Sequence, residues 1–301
     1  MIKRTITGIV MAGFLFLVLW LTSFSHFVFD ALVILISIIA TYEIYSATTG
    51  KSLFKKTDEA VIEGRQTYNV SIVPLVISVA SCYPLCYFFG YLGLLYSFII
   101  AFIVAFIMFI FSPKISFKDF CVTIFCILYP STILGIIYIL HLSYGIIPVL
   151  LGVGISTVSD AMAYFVGSFL GKRKIFPKIS PKKTYAGFFG GIIGGAIGGI
   201  IVYLIFEFAK FPSNVKFTFT GLFNGSIWQP IVIYIAVGAV MAVFSEIGDL
   251  AASRVKREIG IKDYGKILGS HGGILDRIDS ILFTTIAMGI IMAIIGKCLG
   301  I

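Results

Sequence analysis

The chain consists of long apolar runs separated by short polar segments. Nine runs are long enough, at about 20 residues each, to cross the hydrocarbon core of a bilayer as helices. They cover residues 6–23, 27–47, 70–90, 91–112, 120–141, 146–169, 187–208, 229–252 and 281–299. Little more than Gly90 and Tyr91 joins the third run to the fourth, which predicts a tight helical hairpin. The pattern predicts an all-α polytopic membrane protein with about nine transmembrane helices.

The first apolar run resembles a signal peptide only at its start. Lys3 and Arg4 precede it, as in a secretory signal. No A-x-A-like cleavage site follows, and the chain continues into a second apolar run. We therefore expect residues 6–23 to be a retained first span.

Composition supports lipid as the solvent of this chain. Of its 301 residues 59% are hydrophobic and 12% are charged, with a mean hydropathy of +1.05. A soluble domain carries about 25% charged residues. The five cysteines lie within or beside apolar runs and form no C-x-x-C pair, so they are interpreted as packing residues. Neither a disulfide framework nor a zinc site is indicated.

The charges are distributed unevenly between the two ends of the predicted spans. If the N-terminus is cytoplasmic and the spans alternate, all but three of the 23 Lys and Arg residues are cytoplasmic. The exceptions are Lys210, Lys216 and Lys297. Loops 48–69, 170–186 and 253–280 are then cytoplasmic, and the C-terminus is external. The net charge of +9 points to anionic lipid head groups and a phosphorylated substrate rather than to nucleic acid.

The distribution of polar residues divides the chain into two predicted regions. Residues 1–145 form an N-terminal membrane region of about five spans. Residues 146–301 form a catalytic membrane region of about four spans, with loops 170–186 and 253–280.

Acidic residues at membrane depth are costly and are functional candidates by default. Those near span ends are interpreted as solvated interfacial acids, namely Asp30, Glu43 and Glu207. Deeper acids are stronger candidates, namely Asp160, Glu246 and Asp249. With helical spacing, Glu246, Asp249, Ser253, Lys256 and Arg257 form one polar face. Carboxylates below cations are the order expected for a metal ion with phosphates above it; the alternative is a salt-bridged helix end.

Two stretches of the chain are rich in glycine, and their patterns predict different roles. The seventh run has glycine pairs every four residues, at 190–191, 194–195 and 198–199, which favours close helix packing over a phosphate cradle. The segment 260–280 has five glycines, and glycine lets backbone N–H groups approach an anion. Asp276 and Asp279, at the start of the ninth run, could hold Mg²⁺. Neither a G-x-x-x-x-G-K-[ST] motif nor a G-x-G-x-x-G motif after a strand occurs.

Two blocks of closely spaced polar and glycine residues form recognisable motifs. The first contains Ser253, Lys256-Arg257, Lys262-Asp263, His271-Gly272-Gly273 and Asp276-Arg277-Ile278-Asp279. The second contains Ser159-Asp160, Ala163-Tyr164, Gly167, Gly171-Lys172 and Ser180-Pro181-Lys182-Lys183-Thr184. Together they resemble the signature of the phosphatidate cytidylyltransferases, the CDP-diacylglycerol synthases. The chain departs from that pattern at Ala186, where the family usually has Glu or Gln, and at Gly269-Ser270, where Pro-Gly often precedes the histidine.

The resemblance implies an enzyme that joins CTP to phosphatidic acid, giving CDP-diacylglycerol and pyrophosphate. Its expected cofactor is Mg²⁺ or Mn²⁺, with a monovalent cation as a further candidate. Asp249 and Asp276 are the predicted metal ligands. The other predicted catalytic residues are Lys256, Arg257, Asp279 and His271. The predicted substrate-binding residues are Lys182, Lys183, Ser253, Lys262, Asp263, Arg277 and Asp160.

Several further expectations belong to this interpretation. His271 is expected to hydrogen-bond a phosphate rather than to act as an acid. The protein is expected in the plasma membrane, with its active site at the cytoplasmic face, surrounded by membrane lipids. A homodimer is expected, with the glycine face of the seventh run as one contact. The alternatives are a CTP-dependent polyprenol or phytol kinase and, in a different class, a membrane transporter.

Overall fold

The computed structural model describes residues 26–51, 65–177, 179–208, 228–269 and 272–299. They are helical almost throughout, which confirms the all-α class. The helices are α1 (His26–Thr49), α2 (Ile72–Phe89), α3 (Tyr91–Phe111), α4 (Phe117–Cys126), α5 (Ile133–Tyr144), α6 (Ile146–Leu170), α7 (Tyr185–Val202), α8 (Trp228–Ile259) and α9 (Leu275–Leu299). π-Helical turns join α4 to α5, at Ile127–Thr132, and extend α7, at Tyr203–Phe208. Within these ranges the only β-pairing is an isolated bridge between Lys174 and Thr184.

Eight helical stretches of the described residues are long and apolar enough to cross a membrane. Each overlaps one of the predicted runs, and α4, its π-helical turn and α5 together form a single span, Phe117–Tyr144. The remaining predicted run, 6–23, lies outside the described residues. The chain is therefore a polytopic integral membrane protein with eight spans described.

Local sequence signals explain where several helices begin and end. Gly90, with φ of 56°, separates α2 from α3, as the predicted hairpin requires. A reciprocal capping box between Ser116 and Asp119 starts α4. Thr184 caps α7, because its Oγ1 accepts a hydrogen bond from the Gly187 N–H at 3.1 Å. These caps satisfy backbone groups that the helix ends leave unpaired.

The described chain forms two compact units. The first comprises the residues up to Tyr138 together with Glu258–Arg277. The second comprises Ile139–Arg257 together with the residues from Ile278 onward. The segment between α8 and α9 therefore belongs to the unit built by the early helices. The division of the chain at residue 145 remains a prediction.

In the first unit, α3 has small residues on its buried face and large apolar residues on its exposed face. The buried residues recur every four positions, namely Gly93, Ser97, Ala101 and Ala105. A Cβ at Gly93 would overlap the backbone of Leu85 in α2, so the two helices approach closely. Ser97 also shares a hydrogen bond with Ser81 of α2, with the two Oγ atoms 2.9 Å apart. Small contact faces and interhelical hydroxyl bonds are typical of packing in lipid.

In the second unit, α7 packs through its glycine face on both neighbouring helices. A Cβ at Gly190 would lie 2.5 Å from Cβ of Val166 in α6. A Cβ at Gly195 would lie 2.5 Å from the carbonyl oxygen of Gly238 in α8. The prediction of a packing role is thereby confirmed. The suggestion that this face contacts a second copy is wrong, because α6 and α8 of the same chain already cover it.

Candidate active site

The polar face predicted around residue 250 lies on one uninterrupted helix. Helix α8 runs to Ile259, beyond the predicted end at residue 252, and so includes every residue from Glu246 to Arg257. Lys256 and Arg257 lie in its last turn, where positive charge interacts favourably with the helix dipole. Along the helix, the carboxylates of Glu246 and Asp249 therefore come before the cations of Lys256 and Arg257, in the predicted order.

Lys183 is the centre of an ion-pair network in the second unit. Its Nζ lies 2.5 Å from Oε2 of Glu246 and 2.8 Å from Oδ2 of Asp249. Glu246 is only 2% exposed, whereas Lys183 is 19% and Asp249 35% exposed. Burial alone would lower the pKa of the Lys183 ammonium, but the charges of Asp249 and Glu246 outweigh burial and raise its pKa above the ordinary lysine value. Lys183 therefore stays protonated and offsets part of the negative charge of the two acids.

The short segment before α7 holds Lys183 in position. The Ile175 N–H donates to the carbonyl of Lys183 at 3.1 Å, and the Lys183 N–H donates to the carbonyl of Ser180 at 3.2 Å. Thr184, the next residue, is the buried cap of α7. Backbone bonds on both sides thus fix the point from which the Lys183 side chain extends to α8.

The glycine face of α7 also makes room for Glu246. A Cβ at Gly191 would lie 2.8 Å from Oε1 of Glu246 and 3.2 Å from Oγ of Ser159. Oγ of Ser159 is buried and has no hydrogen-bond partner among the described residues. Gly191 therefore leaves space for a buried carboxylate and a buried hydroxyl, in addition to its packing role.

A chain of hydroxyl groups connects Asp160 with the helices around it. Oγ of Ser280 in α9 donates to Oδ2 of Asp160 at 3.3 Å. Oγ of Ser156 in α6 donates to Ser280 at 3.0 Å and shares a further 3.0 Å bond with Ser245 of α8. The carboxylate of Asp160 is also within electrostatic range of Asp249, Glu246, Lys183 and Asp279. These bonds orient Asp160 toward the same cluster of charges.

Asp279 completes this cluster from α9. Its Oδ2 lies 3.6 Å from Nζ of Lys256, and both side chains are about nine-tenths buried, at 9% and 10% exposed. The helices approach closely here, because a Cβ at Gly248 would lie 2.9 Å from Cβ of Phe283 and 3.0 Å from the carbonyl of Asp279. Helices α8 and α9 therefore pack directly against each other at this point.

We call the group formed by Asp160, Glu246, Asp249, Asp279, Lys183 and Lys256 the acidic cluster. It holds four carboxylates and two ammonium groups, so its formal charge is negative when all six are ionised. Oxygen ligands of this type suit Mg²⁺. In the part of the chain that the structure describes, no group of three or more His, Cys, Asp or Glu side chains is arranged to hold a metal ion. A metal ion at the cluster would therefore need further ligands, such as substrate phosphates.

The first unit contains the glycine-rich segment between α8 and α9. Oδ2 of Asp276 accepts hydrogen bonds from the backbone N–H groups of Tyr264, at 2.8 Å, and Gly273, at 3.0 Å. Tyr264 is buried, which anchors the middle of the segment. Three glycines have positive φ, namely Gly260, Gly269 and Gly272. The carboxylate of Asp276 thus has a structural role in addition to its predicted role as a metal ligand.

Glu43 has an environment that its position in the sequence predicted wrongly. It was expected to be a solvated interfacial acid, but it is 2% exposed. Its Oε1 accepts from the Ile274 N–H at 3.0 Å and its Oε2 from the Leu275 N–H at 2.8 Å. The partners lie 231 and 232 positions further along the chain. Its position near a span end gave no signal of this contact, because only the folded chain brings the two segments together.

The other predicted site residues fall into three groups. The exposed ones are Lys182, Arg257, Lys262, Asp263 and Arg277, and Ser253 is half-buried. His271 lies outside the described residues. Asp249 belongs to the second unit and Asp276 to the first, so their joint coordination of a metal stays a prediction.

Comparison with known proteins identifies the class of this chain. Residues 2–295 match the cytidylyltransferase family. Because the match covers almost the whole chain, the protein belongs to this family, whose members are nucleotidyltransferases.

Individual relatives give a narrower comparison. The chain is 31% identical over 180 residues to a phosphatidate cytidylyltransferase of Staphylococcus saprophyticus, covering 60% of this chain and 61% of the relative. It is 34% identical over 125 residues to a phosphatidate cytidylyltransferase of Bacillus subtilis, covering 42% and 39%. A third, from Staphylococcus haemolyticus, is 31% identical over 135 residues, covering 45% of each chain. The aligned regions thus span between 39% and 61% of the relatives' lengths.

Proposed function

We propose that the protein is a phosphatidate cytidylyltransferase, which converts CTP and phosphatidic acid into CDP-diacylglycerol and pyrophosphate. Family membership gives the class of reaction, and the relatives' names give the acceptor. The observation that carries the proposal is the acidic cluster. It places four carboxylates and two lysines within a membrane-spanning bundle, next to the motif residues of α8 and α9.

The reaction needs charge neutralisation more than a covalent intermediate. A phosphate oxygen of phosphatidic acid attacks the α-phosphorus of CTP, and the bond between that phosphorus and the bridging oxygen breaks. Pyrophosphate leaves with the electrons of that bond. The new P–O–P linkage joins the phosphate of the lipid to CMP. Both substrates are anions, so their approach requires cations that are already in place.

The exposed basic residues are proposed to receive the phosphates. Arg257 and Arg277 offer planar forks that match phosphate oxygens, whereas Lys182 and Lys262 offer single point charges. Ser253 lies one helical turn beyond Asp249 and supplies a hydroxyl donor. Asp263 is proposed to orient the neighbouring Lys262. His271 is proposed to hydrogen-bond a phosphate.

A divalent metal is the proposed cofactor. Asp249 and Asp276 are the proposed ligands, and Mg²⁺ or Mn²⁺ would neutralise phosphate charge and orient the triphosphate. Oxygen donors of the acidic cluster fit such an ion, and its excess of carboxylates favours binding of positive charge. Asp160, Asp279 and Glu246 support the site through the charges that they place around it.

Lys183 has a different proposed role from its neighbour Lys182. Lys183 bonds two acids of α8, so it holds the Asp249 carboxylate in one orientation before substrate arrives. Lys182 is exposed and free to follow a bound phosphate. Positioning and substrate contact are thus divided between adjacent lysines.

The proposed location is the plasma membrane, with the site at its cytoplasmic face. The strong bias of Lys and Arg toward one set of loops supports this orientation. Phosphatidic acid would reach the site from the bilayer and CTP from the cytoplasm. A homodimer is also proposed; light scattering of the detergent-purified protein would give its mass.

Product analysis tests the activity. Purified protein in mixed micelles is supplied with phosphatidic acid, Mg²⁺ and CTP labelled in its α-phosphate. We expect label in CDP-diacylglycerol and one pyrophosphate for each lipid product. A CTP-dependent lipid kinase would instead release labelled CDP and transfer the γ-phosphate, and a transporter would leave CTP intact. Either result would overturn the proposal.

A further inference from the structure

Glu43 connects the second apolar run of the chain to the start of its last helix. Both of its carboxylate oxygens accept hydrogen bonds from backbone N–H groups, those of Ile274 and Leu275. These N–H groups stand at the beginning of α9, where a helix leaves its first amides without internal partners. A carboxylate there also interacts favourably with the helix dipole. Glu43 thus fixes one end of the glycine-rich segment.

Two glycines of the segment, one near its middle and one near its end, fit closely around the same carboxylate. A Cβ at Gly265 would lie 2.7 Å from Cδ of Glu43, and a Cβ at Gly273 would lie 2.5 Å from it. Glu43 therefore contacts the segment near its middle and at its end. Asp276 bonds the same region through Tyr264 and Gly273. Two carboxylates hold the segment, one from α1 and one from α9.

The charged residues in the first half of this segment are exposed. Lys262, Lys266 and Asp263 are exposed, whereas Ile261 and Tyr264 beside them are buried. The segment is therefore anchored by its apolar residues and by Glu43, and its charged side chains face away from the core. We propose that Glu43 is a positioning residue, which pre-orders the described residues 260–269 and 272–275 so that their charged groups are ready to bind CTP. This inference rests on the proposed cytidylyltransferase activity.

A positioning role predicts an effect on binding more than on turnover. Gln at position 43 keeps the size of Glu but replaces one acceptor oxygen by an NH₂ donor, which would face a backbone N–H. The segment would then be ordered only part of the time. The apparent affinity for CTP would fall in proportion to the fraction of molecules in which the segment is ordered. Saturating CTP would restore the order, so the rate at saturation changes less.

The kinetic test compares Glu43→Gln with Asp119→Asn. Asp119 is also a carboxylate of the first unit that accepts backbone N–H bonds, but its donors, Asn69 and Ser116, lie outside residues 260–275. We expect Glu43→Gln to raise KM for CTP by about tenfold, with kcat reduced by less than about threefold. Asp119→Asn should leave both near wild type. If Glu43→Gln had the KM for CTP of the wild type but a lower kcat, the role of Glu43 would be purely structural and the proposal would be overturned.

Hydrogen exchange tests the same inference without any activity. In detergent and without substrate, peptides covering residues 260–275 should exchange about tenfold faster in Glu43→Gln than in wild type, while peptides of α2 and α3 are unchanged. Gly265→Ala should give the same pattern, because its Cβ displaces the Glu43 carboxylate while keeping the charge. Unchanged exchange in both variants would refute the positioning role. Wild type that makes no CDP-diacylglycerol would instead refute the proposed function, whatever the exchange shows.

Discussion

At the scale of single residues, adjacent lysines of one motif have opposite environments. Lys182 is exposed, whereas Lys183 bonds Glu246 and Asp249 and is largely buried. The sequence predicted one role for both, since it shows type and spacing but not burial. The structure therefore predicts different consequences for the two substitutions.

Lys183→Met should destabilise the protein and inactivate it, whereas Lys182→Met should mainly weaken substrate binding. Removing Lys183 leaves the buried Glu246 without its cation, which costs on the order of 2–4 kcal/mol, below the full cost of an orphaned buried charge because Lys183 is partly exposed. Lys182→Met should change stability by less than about 0.5 kcal/mol. Thermal unfolding in detergent and KM for CTP measure both effects; equal unfolding temperatures would contradict the assigned role of Lys183.

The pH dependence of this ion pair follows from the direction of its pKa shift. The pKa of Lys183 is raised on folding, so its contribution is fully present below the ordinary lysine pKa of about 10.4. It is lost only as pH rises through the higher value of the folded state. Lys183 therefore contributes no change in stability around neutral pH.

At the scale of helices, apolar runs predicted the spans well because lipid imposes a minimum length and excludes charge. The hairpin at Gly90 and the packing face of α7 also followed from local sequence. The contact of Glu43 with Ile274 and that of Gly191 with Glu246 did not follow from local sequence. In both cases the two residues lie far apart along the chain, and no periodic pattern connects them. The helical polar face from Glu246 to Arg257 also followed from local spacing, and α8 runs to Ile259, beyond the predicted end of the apolar span at residue 252.

The double role of α7 predicts a difference between two glycines in the same unit. Gly191→Ala places a Cβ 2.8 Å from the Glu246 carboxylate, whereas Gly152→Ala in α6 places one 3.7 Å from Thr284, an ordinary contact. Both changes gain helix propensity of up to about 1 kcal/mol. We expect Gly191→Ala to lose about 1–3 kcal/mol through overpacking and to lower activity.

Gly152→Ala should be neutral or slightly stabilising and keep full activity. Unfolding temperature and initial rate, measured side by side for the two variants, provide the comparison. If Gly191→Ala matched Gly152→Ala in both measurements, a Cβ at position 191 would fit beside Glu246 without overpacking, and the prediction would be wrong.

At the scale of the whole molecule, the segregation of Lys and Arg predicts one orientation in the membrane. Arg173 is exposed before α7, and Lys297 is exposed near the end of α9, on the opposite predicted side. With the five native cysteines replaced, Arg173→Cys should resist an impermeant maleimide in intact cells, and Lys297→Cys should react. The reverse labelling pattern would invert the topology, and labelling of both positions would rule out the alternation of spans.

The last prediction concerns the metal, whose proposed ligands come from the two units. Asp249 lies beside Lys183 and Glu246 in the second unit, and Asp276 holds the glycine-rich segment in the first. Asn keeps the size of Asp and one acceptor oxygen but removes the charge that attracts a cation. We expect Asp249→Asn and Asp276→Asn each to lower kcat by at least about a thousandfold at saturating Mg²⁺, and wild type to require Mg²⁺ or Mn²⁺. Since both residues act through one ion, the double variant should be no worse than either single variant.

Hydrogen exchange separates this role from the structural one that Asp276 also has. The N–H groups of Tyr264 and Gly273 both donate to Oδ2 of Asp276, and the amide oxygen of Asn at 276 can still accept both bonds. Residues 260–275 should therefore stay more protected than in Glu43→Gln. Asp249→Asn should leave that segment unchanged, because the Asp249 carboxylate pairs with Lys183. Loss of activity with the segment intact in both variants points to the metal. Near-normal turnover of either single variant would exclude that residue as a ligand. The assignment would then pass to Asp160 and Asp279, two other carboxylates of the acidic cluster, which lie beside Ser280 and Lys256.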